Sequence, residues 1–350
     1  MLMEIEEEQR LDDNLYKEND IKKLKEKNPF IYYSSKEIQK KLSEIIKSKI
    51  GLNLDYLKYF ERGGSSFIYE GTSKDKKKSI VIKVISEERF KNFDEIKIML
   101  RMRHPNIISI YGFYNNKNSE LLILMEKGKM DLRGFERMIK RSVLSESFLC
   151  YTAFQILEGL NYLYKCNIIH YDIKPNNIVI NDLINIKIID FSVSMDISEI
   201  KDSQIELKYR GTSLYMAPEV INKEKIEIKN FHKIDLFSLG VTLYRLAFGY
   251  YPFNLKREDA DNDDVIYKKI NSDWRVENKG TDFSKHFIDF LNCLLEKDIN
   301  KRINIFGAMN HYWIQGAKLL NEEKENIGNA NVFLTSLITD NFINFNKYIL

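Results

Sequence analysis

The run His170-Tyr171-Asp172-Ile173-Lys174-Pro175-Asn176-Asn177 narrows the possibilities for this chain more than any other stretch, because it sets a carboxylate, an ammonium and a carboxamide on one short loop. Such a set suits a reaction run by positioning a nucleophile and neutralising moving charge, with little covalent work for the protein. Upstream, Ile80-Val81-Ile82-Lys83 is an apolar β-branched run ending in a Lys, which predicts a buried strand delivering one ammonium to a pocket. From Phe93 to Met102 the apolar Ile96, Met99 and Leu100 recur at helical spacing, Glu95 lies one turn before Met99, and His104-Pro105-Asn106-Ile107 stops the helix. Downstream, Ile186 to Ile189 reads as a strand that ends at Asp190-Phe191-Ser192.

In this order and spacing the pieces resemble the protein kinase family, which transfers the γ-phosphate of ATP. His170 to Asn177 resembles the family's catalytic loop, usually His-Arg-Asp-x-Lys-x-x-Asn, and the resemblance implies Asp172 as the proton acceptor, Lys174 as a phosphate-reaching cation and Asn177 as a magnesium ligand. Tyr171 departs, standing where Arg is usual. Lys83 matches the ATP-anchoring Lys, with Glu95 as its implied ion-pair partner, and Asp190 matches the metal-binding Asp of Asp-Phe-Gly. Gly211 to Glu219 resembles the segment that closes the activation loop. Asp235-Leu236-Phe237-Ser238-Leu239-Gly240 resembles the anchoring helix of the large lobe, and Arg302 the buried Arg that pairs with the Glu219 equivalent. Met99, His170, Phe191 and Asp235 are implied supports, stacked as a spine.

The implied fold is α+β and two-lobed: a small antiparallel β-sheet lobe with one main helix, and a larger, mainly helical lobe. The resemblance covers residues 54 to 314, divided into a small lobe at 54–125, a hinge at 126–131 and a large lobe at 132–314. A charged extension precedes it at 1–53, and an apolar tail predicted to be helical follows at 315–350.

The nucleotide side departs further from the family. A hairpin lying over phosphates needs glycines so that backbone N–H groups can approach oxygen atoms. Here Glu61 and Ser66 stand where the first and third glycines are usual, while Gly63 and Ile68 match, with Gly64 and Ser65 between them. Val81 is larger than the usual Ala, and Val179 replaces the usual Leu of the adenine floor. Met125 falls at the gatekeeper position, Glu126 and Gly128 at the backbone positions that meet adenine, and Asp131 where the ribose is met. The form Met125 to Leu132, together with Gly63 to Ser66 and Lys201-Asp202-Ser203-Gln204, is similar to the spindle-checkpoint dual-specificity kinases, from which Glu61, Ser192 and Ala217 depart.

Lys174 and Thr212 imply transfer to Ser or Thr of protein substrates, with ATP and Mg2+ as the cosubstrate and metal. The competing reading is a pseudokinase scaffold that turns over little ATP, raised by Glu61 and Ser66 and opposed by the retained Lys83, Glu95, Asp172, Asn177 and Asp190. A small-molecule phosphotransferase is a third reading, opposed by the Gly211 to Glu219 segment. Tyr171 cannot gather a phosphate as Arg does, so loop phosphorylation is not expected to be required by that route. Ser194, Ser203, Tyr209 and Ser213 are the candidate modification sites.

The formal net charge of +3 gives no case for nucleic-acid binding. No stretch approaches eighteen apolar residues and Glu4 to Glu8 is unlike a signal peptide, so no membrane partner is expected. Cys150, Cys166 and Cys293 are scattered and lack metal spacing, which fits a reducing, cytoplasmic or nuclear location. In the extension, Ile38, Leu42, Ile45 and Ile46 recur at helical spacing, predicting a helix that docks on the small lobe. In the tail, Phe333, Leu334, Leu337, Ile338, Phe342 and Ile343 call for cover, either by packing back or by a partner.

Overall fold

β-branched and aromatic residues crowd the chain from Leu54 to Glu126, and in the computed structural model they build a five-stranded antiparallel sheet. Its strands are β1 (Leu54–Arg62), β2 (Ser66–Ser73), β3 (Ser79–Ser86), β4 (Ile110–Asn116) and β5 (Glu120–Glu126), in the order β1-β2-β3-β5-β4. The structure describes residues 33–62, 66–74, 79–86, 94–116, 120–138, 144–181, 185–277 and 282–317. They belong to two compact units: Met1–Lys91 with Ile110–Lys127, which holds the sheet, and Asn92–Ser109 with Gly128–Leu350.

In the first unit β3 is central, so Ile80, Ile82 and Val84 are buried on one face and Lys83 on the other. Helix α1 (Lys36–Ile45), which continues through Ile50, covers the former face. Ser35 starts it by accepting from Ile38 N at 3.3 Å. Ile38, Leu42 and Ile46, four apart, then form one stripe against Phe67, Tyr69, Ile82 and Leu122. Each such side chain contributes about 2 kcal/mol on burial. Tyr33 locks the entry, its ring stacked 3.9 Å from that of Phe67 and its carbonyl accepting from Tyr69 Oη at 2.5 Å. The helix expected in the extension therefore forms and docks on the sheet.

The second unit is mainly helical: α2 (Asp94–Arg101), α3 (Leu132–Met138), α4 (Glu146–Lys165), α5 (Pro218–Ile221), α6 (Lys233–Phe248), α7 (Asp263–Ile270), α8 (Lys285–Leu294) and α9 (Ile305–Met309). Short strands interrupt them: β6 (Met130–Asp131), β7 (Ile168–Ile169), β8 (Ile178–Ile180), β9 (Ile186–Ile188), β10 (Met195–Asp196), β11 (Gln204–Glu206) and β12 (Lys225–Glu227). They pair as β6-β8-β9, β7-β10 and β11-β12. Helix α6 is buried from Lys233 to Ala247, apolar nearly all round, and is the pillar on which the loops rest.

Helix α2 goes with this unit because its following segment is stitched there. Ile188 N donates to Asn106 O at 2.9 Å, Ile108 N to Ile188 O at 3.0 Å, and Asn106 Nδ2 to Gln155 Oε1 at 3.0 Å. Arg101 pairs with Asp196 at 2.5 Å. At the far end Glu146 accepts from Ser284 N at 2.7 Å and from Trp313 Nε1 at 2.8 Å, joining the starts of α4 and α8 to the close of the domain.

His232, just before α6, lies among the rings of Tyr164 and Phe231. Burial, with the Lys233 charge beside it, lowers its pKa to about 4. The unfolded chain takes up this proton first, so stability is full above the ordinary His value near 6.5 and falls as pH drops towards 4, by about 3 kcal/mol. Denaturant titrations of wild type and His232→Phe across that window are expected to show the slope in wild type and its loss in the variant.

Candidate active site

The sharp features of the second unit converge on Asp172. Its carboxylate is 7 % exposed and fully engaged: Oδ1 accepts from Thr212 Oγ1 at 2.7 Å, while Oδ2 accepts from Asn177 Nδ2 at 2.8 Å and meets Lys174 Nζ at 2.7 Å. Lys174 Nζ also donates to Thr212 Oγ1 at 2.6 Å, closing a ring of three polar side chains around the carboxylate. Asn177 Nδ2 donates again to Asp172 O at 2.9 Å. Its two bonds thus run from nitrogen, and the amide oxygen is not engaged by the loop.

Local backbone bonds hold the loop in this shape. Tyr171 adopts φ 67, a left-handed conformation costly for an aromatic residue. Asp235, from the first turn of α6, holds it there by accepting from His170 N and Tyr171 N, both at 2.8 Å. Burial raises the Asp235 carboxyl, while His170 and the two N–H groups favour its charged form. His170 Nε2 lies 3.1 Å from Ile189 O, its ring stands edge-on to Phe191 at 5.0 Å, and Ile189 N donates to Asn177 O at 2.9 Å. The expected links among His170, Phe191 and Asp235 are in place. Asp190, on the next residue, has φ 65 and accepts from Ser192 N.

The segment from Ser194 to Ser213 is anchored by polar contacts to backbone carbonyls and to Asp263. Tyr171, in place of Arg, is 3 % exposed, and burial pushes its phenol well above the ordinary value. Arg210 donates to Val193 O at 3.3 Å and Ser194 O at 3.2 Å, Tyr209 Oη to Asp263 at 2.6 Å, and Ser213 Oγ to Ala260 O at 2.7 Å. Of the four candidate modification sites, Ser194 is withdrawn: it is buried and its Oγ donates to His170 O at 3.2 Å. Ser203 is exposed. Arg210 is a holding residue that the sequence did not flag, although it directly precedes Gly211-Thr212.

Gly211 closes the site from the other side. At φ 98 a Cβ would lie 2.1 Å from Tyr171 O, so any side chain strains the turn and strikes the loop. Gly211→Ala is expected to cost about 3 kcal/mol and to displace Thr212, read as a lower melting temperature together with a lower rate.

Other expected residues occupy defined places. In the first unit Lys83 is 6 % exposed, opposite Ile68 and Ile123 in the sheet register, and Val81 is opposite Met125. Ser66 is buried at the start of β2, and Glu126 ends β5 opposite Ile80. Gly63, Gly64 and Ser65 lie outside the described residues, as does the tail beyond Ala317. In the second unit Glu95 is half-buried in the first turn of α2. Gly128 faces Val179, whose Cβ would be 2.6 Å from an added Cβ. Asp131 Oδ1 accepts from Gly134 N at 2.5 Å and so starts α3.

Asn177 and Asp190 supply an amide oxygen and a carboxylate, hard donors that suit Mg2+. A separate trio, Asp289, Cys293 and His311, brings ligand atoms within 4.8 Å of one another. There His311 Nδ1 accepts from Trp313 N at 3.2 Å, which leaves the ring proton on Nε2 facing Asp289. The trio is a histidine–carboxylate hydrogen bond rather than a cation site.

The family described as "Protein kinase domain" matches residues 57–314. The chain is 30% identical over 268 residues to "Myosin light chain kinase A" of Dictyostelium discoideum, covering 73% of this chain and 85% of that one. It is 32% identical over 226 residues to "Death-associated protein kinase 2" of Mus musculus (63% and 57%), and 32% over 243 residues to "Calcium-dependent protein kinase 6" of Plasmodium berghei (strain Anka) (67% and 15%). The chain thus spans most of the first relative but little more than half of the second and a small part of the third.

Proposed function

Because this chain belongs to the protein kinase family, and within it resembles Ser/Thr kinases, we propose that it transfers the γ-phosphate of ATP to Ser or Thr hydroxyls of protein substrates. The closed ring of Asp172, Lys174 and Thr212, with Asn177 donating to Asp172, carries this reading. Asp172 Oδ1 accepts the proton of the attacking hydroxyl, and Thr212 fixes the carboxylate that receives it. Lys174, 2.7 Å from Oδ2, places positive charge where the transferred phosphate gathers negative charge. Asn177 and Asp190 would hold Mg2+, which when bound screens the phosphate oxygens. Lys83, a buried ammonium on the central strand, is the phosphate anchor.

The test is phosphoamino-acid analysis of protein substrates labelled by purified full-length protein and Mg-ATP. Phosphoserine or phosphothreonine supports the reading, and phosphotyrosine alone contradicts it. Tyr171 cannot gather a phosphate as Arg does, and Arg210, Tyr209 and Ser213 anchor the segment through protein groups, so loop phosphorylation is not required by that route. Protein treated with phosphatase is expected to keep its rate within about twofold, and a tenfold loss would refute that point.

A further inference from the structure

One buried cluster beside the catalytic loop has more positive charge than its fold uses. Arg245, on α6, has a side chain only 5% exposed, with its guanidinium carbon 4.7 Å over the Tyr251 ring. Among the described residues it makes one ion pair, to Glu136 Oε1, long at 3.5 Å, and its Nε has no hydrogen-bond partner. Glu136 gives its shorter contact, 2.6 Å, to Arg133 on the same helix α3. Two guanidinium groups thus share one carboxylate. Burying a charge that is not fully paired costs free energy unless a further partner offsets it.

Two chain connections place this cluster near the proton acceptor. Thr242, one turn of α6 (about 5 Å) before Arg245, donates to Ile173 O at 3.1 Å, the residue after Asp172. Tyr215, three residues after Thr212, has its ring 5.6 Å from that of Tyr251. Arg133 and Glu136 keep 15% and 23% of their side chains in solvent, so the cluster is open on their side.

Building on the kinase reading above, we propose that Arg133 and Arg245 form a substrate subsite for an acidic or phosphorylated side chain close to the acceptor hydroxyl. Both ligands present oxygen pairs that match the planar guanidinium fork. Glu136 occupies the fork in the free protein and competes with the ligand.

The test measures anisotropy of fluorescein-labelled peptides on the full chain. The peptides share one sequence, with Ala at the acceptor, and carry Asp, phosphoserine, Gln or Arg at each flanking position in turn. Asp or phosphoserine is expected to bind about tenfold more tightly than Gln at one position, with Arg weakest there. The Asp and phosphoserine arms separate carboxylate from phosphate. Arg133→Gln should shrink the acid-to-Gln ratio several-fold and Glu136→Gln should widen it. Mere structural damage would move both in one direction, and that result would overturn the proposal, as would a preference for Arg or no peptide binding at all. Phosphate transfer to the Gln peptide with Ser restored, measured in parallel, tests the kinase reading separately.

Discussion

Asp172→Asn is expected to lower phosphate transfer by about 10² to 10⁴-fold while the protein stays folded. The amide cannot take up the acceptor's proton, but the larger loss is in geometry. Oδ2 receives Asn177 Nδ2 at 2.8 Å and the Lys174 ammonium at 2.7 Å. An NH2 group in that place would set donors against donors. The alternative amide orientation turns the NH2 towards Thr212, whose hydroxyl can rotate, but then no acceptor remains for the attacking hydroxyl. Steady-state rates for wild type and variant, with melting curves to show equal folding, would measure the effect. A variant within threefold of wild type would show that Asp172 is not the proton acceptor.

Arg302→Met is the substitution expected to cost most in stability. The guanidinium is 1 % exposed and forks onto Glu219, Nη1 to Oε1 at 2.6 Å and Nη2 to Oε2 at 2.9 Å. It also donates to Lys233 O at 3.0 Å and Glu296 O at 2.7 Å, and lies 4.8 Å over the Phe237 ring. Removing it strands a buried carboxylate and three carbonyls, those of Lys233, Glu296 and Lys297, a loss of about 3 to 5 kcal/mol and of roughly 10 °C in melting temperature. Adding Glu219→Leu removes the stranded charge and should recover part of that loss, though not the carbonyl bonds. A double variant no more stable than Arg302→Met alone would place the cost in the lost packing on Phe237 instead.

Legibility followed the range of the contacts. Asp172, Lys174 and Asn177 are readable because one loop carries all three and the chemistry sets their spacing. Thr212 and the Glu219–Arg302 pair were readable only through family resemblance, since 40 and 83 residues separate the partners. Helix α1 announced itself by the apolar period of Ile38, Leu42, Ile45 and Ile46 in a charged stretch. The tie of α2 to the second unit was hidden, because it depends on Asn106 meeting β9 across 80 residues. Burial of Ser194 and the surplus charge at Arg245 were equally silent. Neither has a local pattern, and each depends on which backbone or side chain a distant turn brings alongside.

The most direct test is transfer of labelled phosphate from Mg-ATP to a generic protein substrate by purified wild type and by Lys83→Met. Incorporation by wild type that Lys83→Met reduces to background is expected, despite Glu61 and Ser66 in the phosphate-covering loop. No incorporation by wild type, and no thermal shift when Mg-ATP is added, would contradict the kinase reading and leave a scaffold in its place.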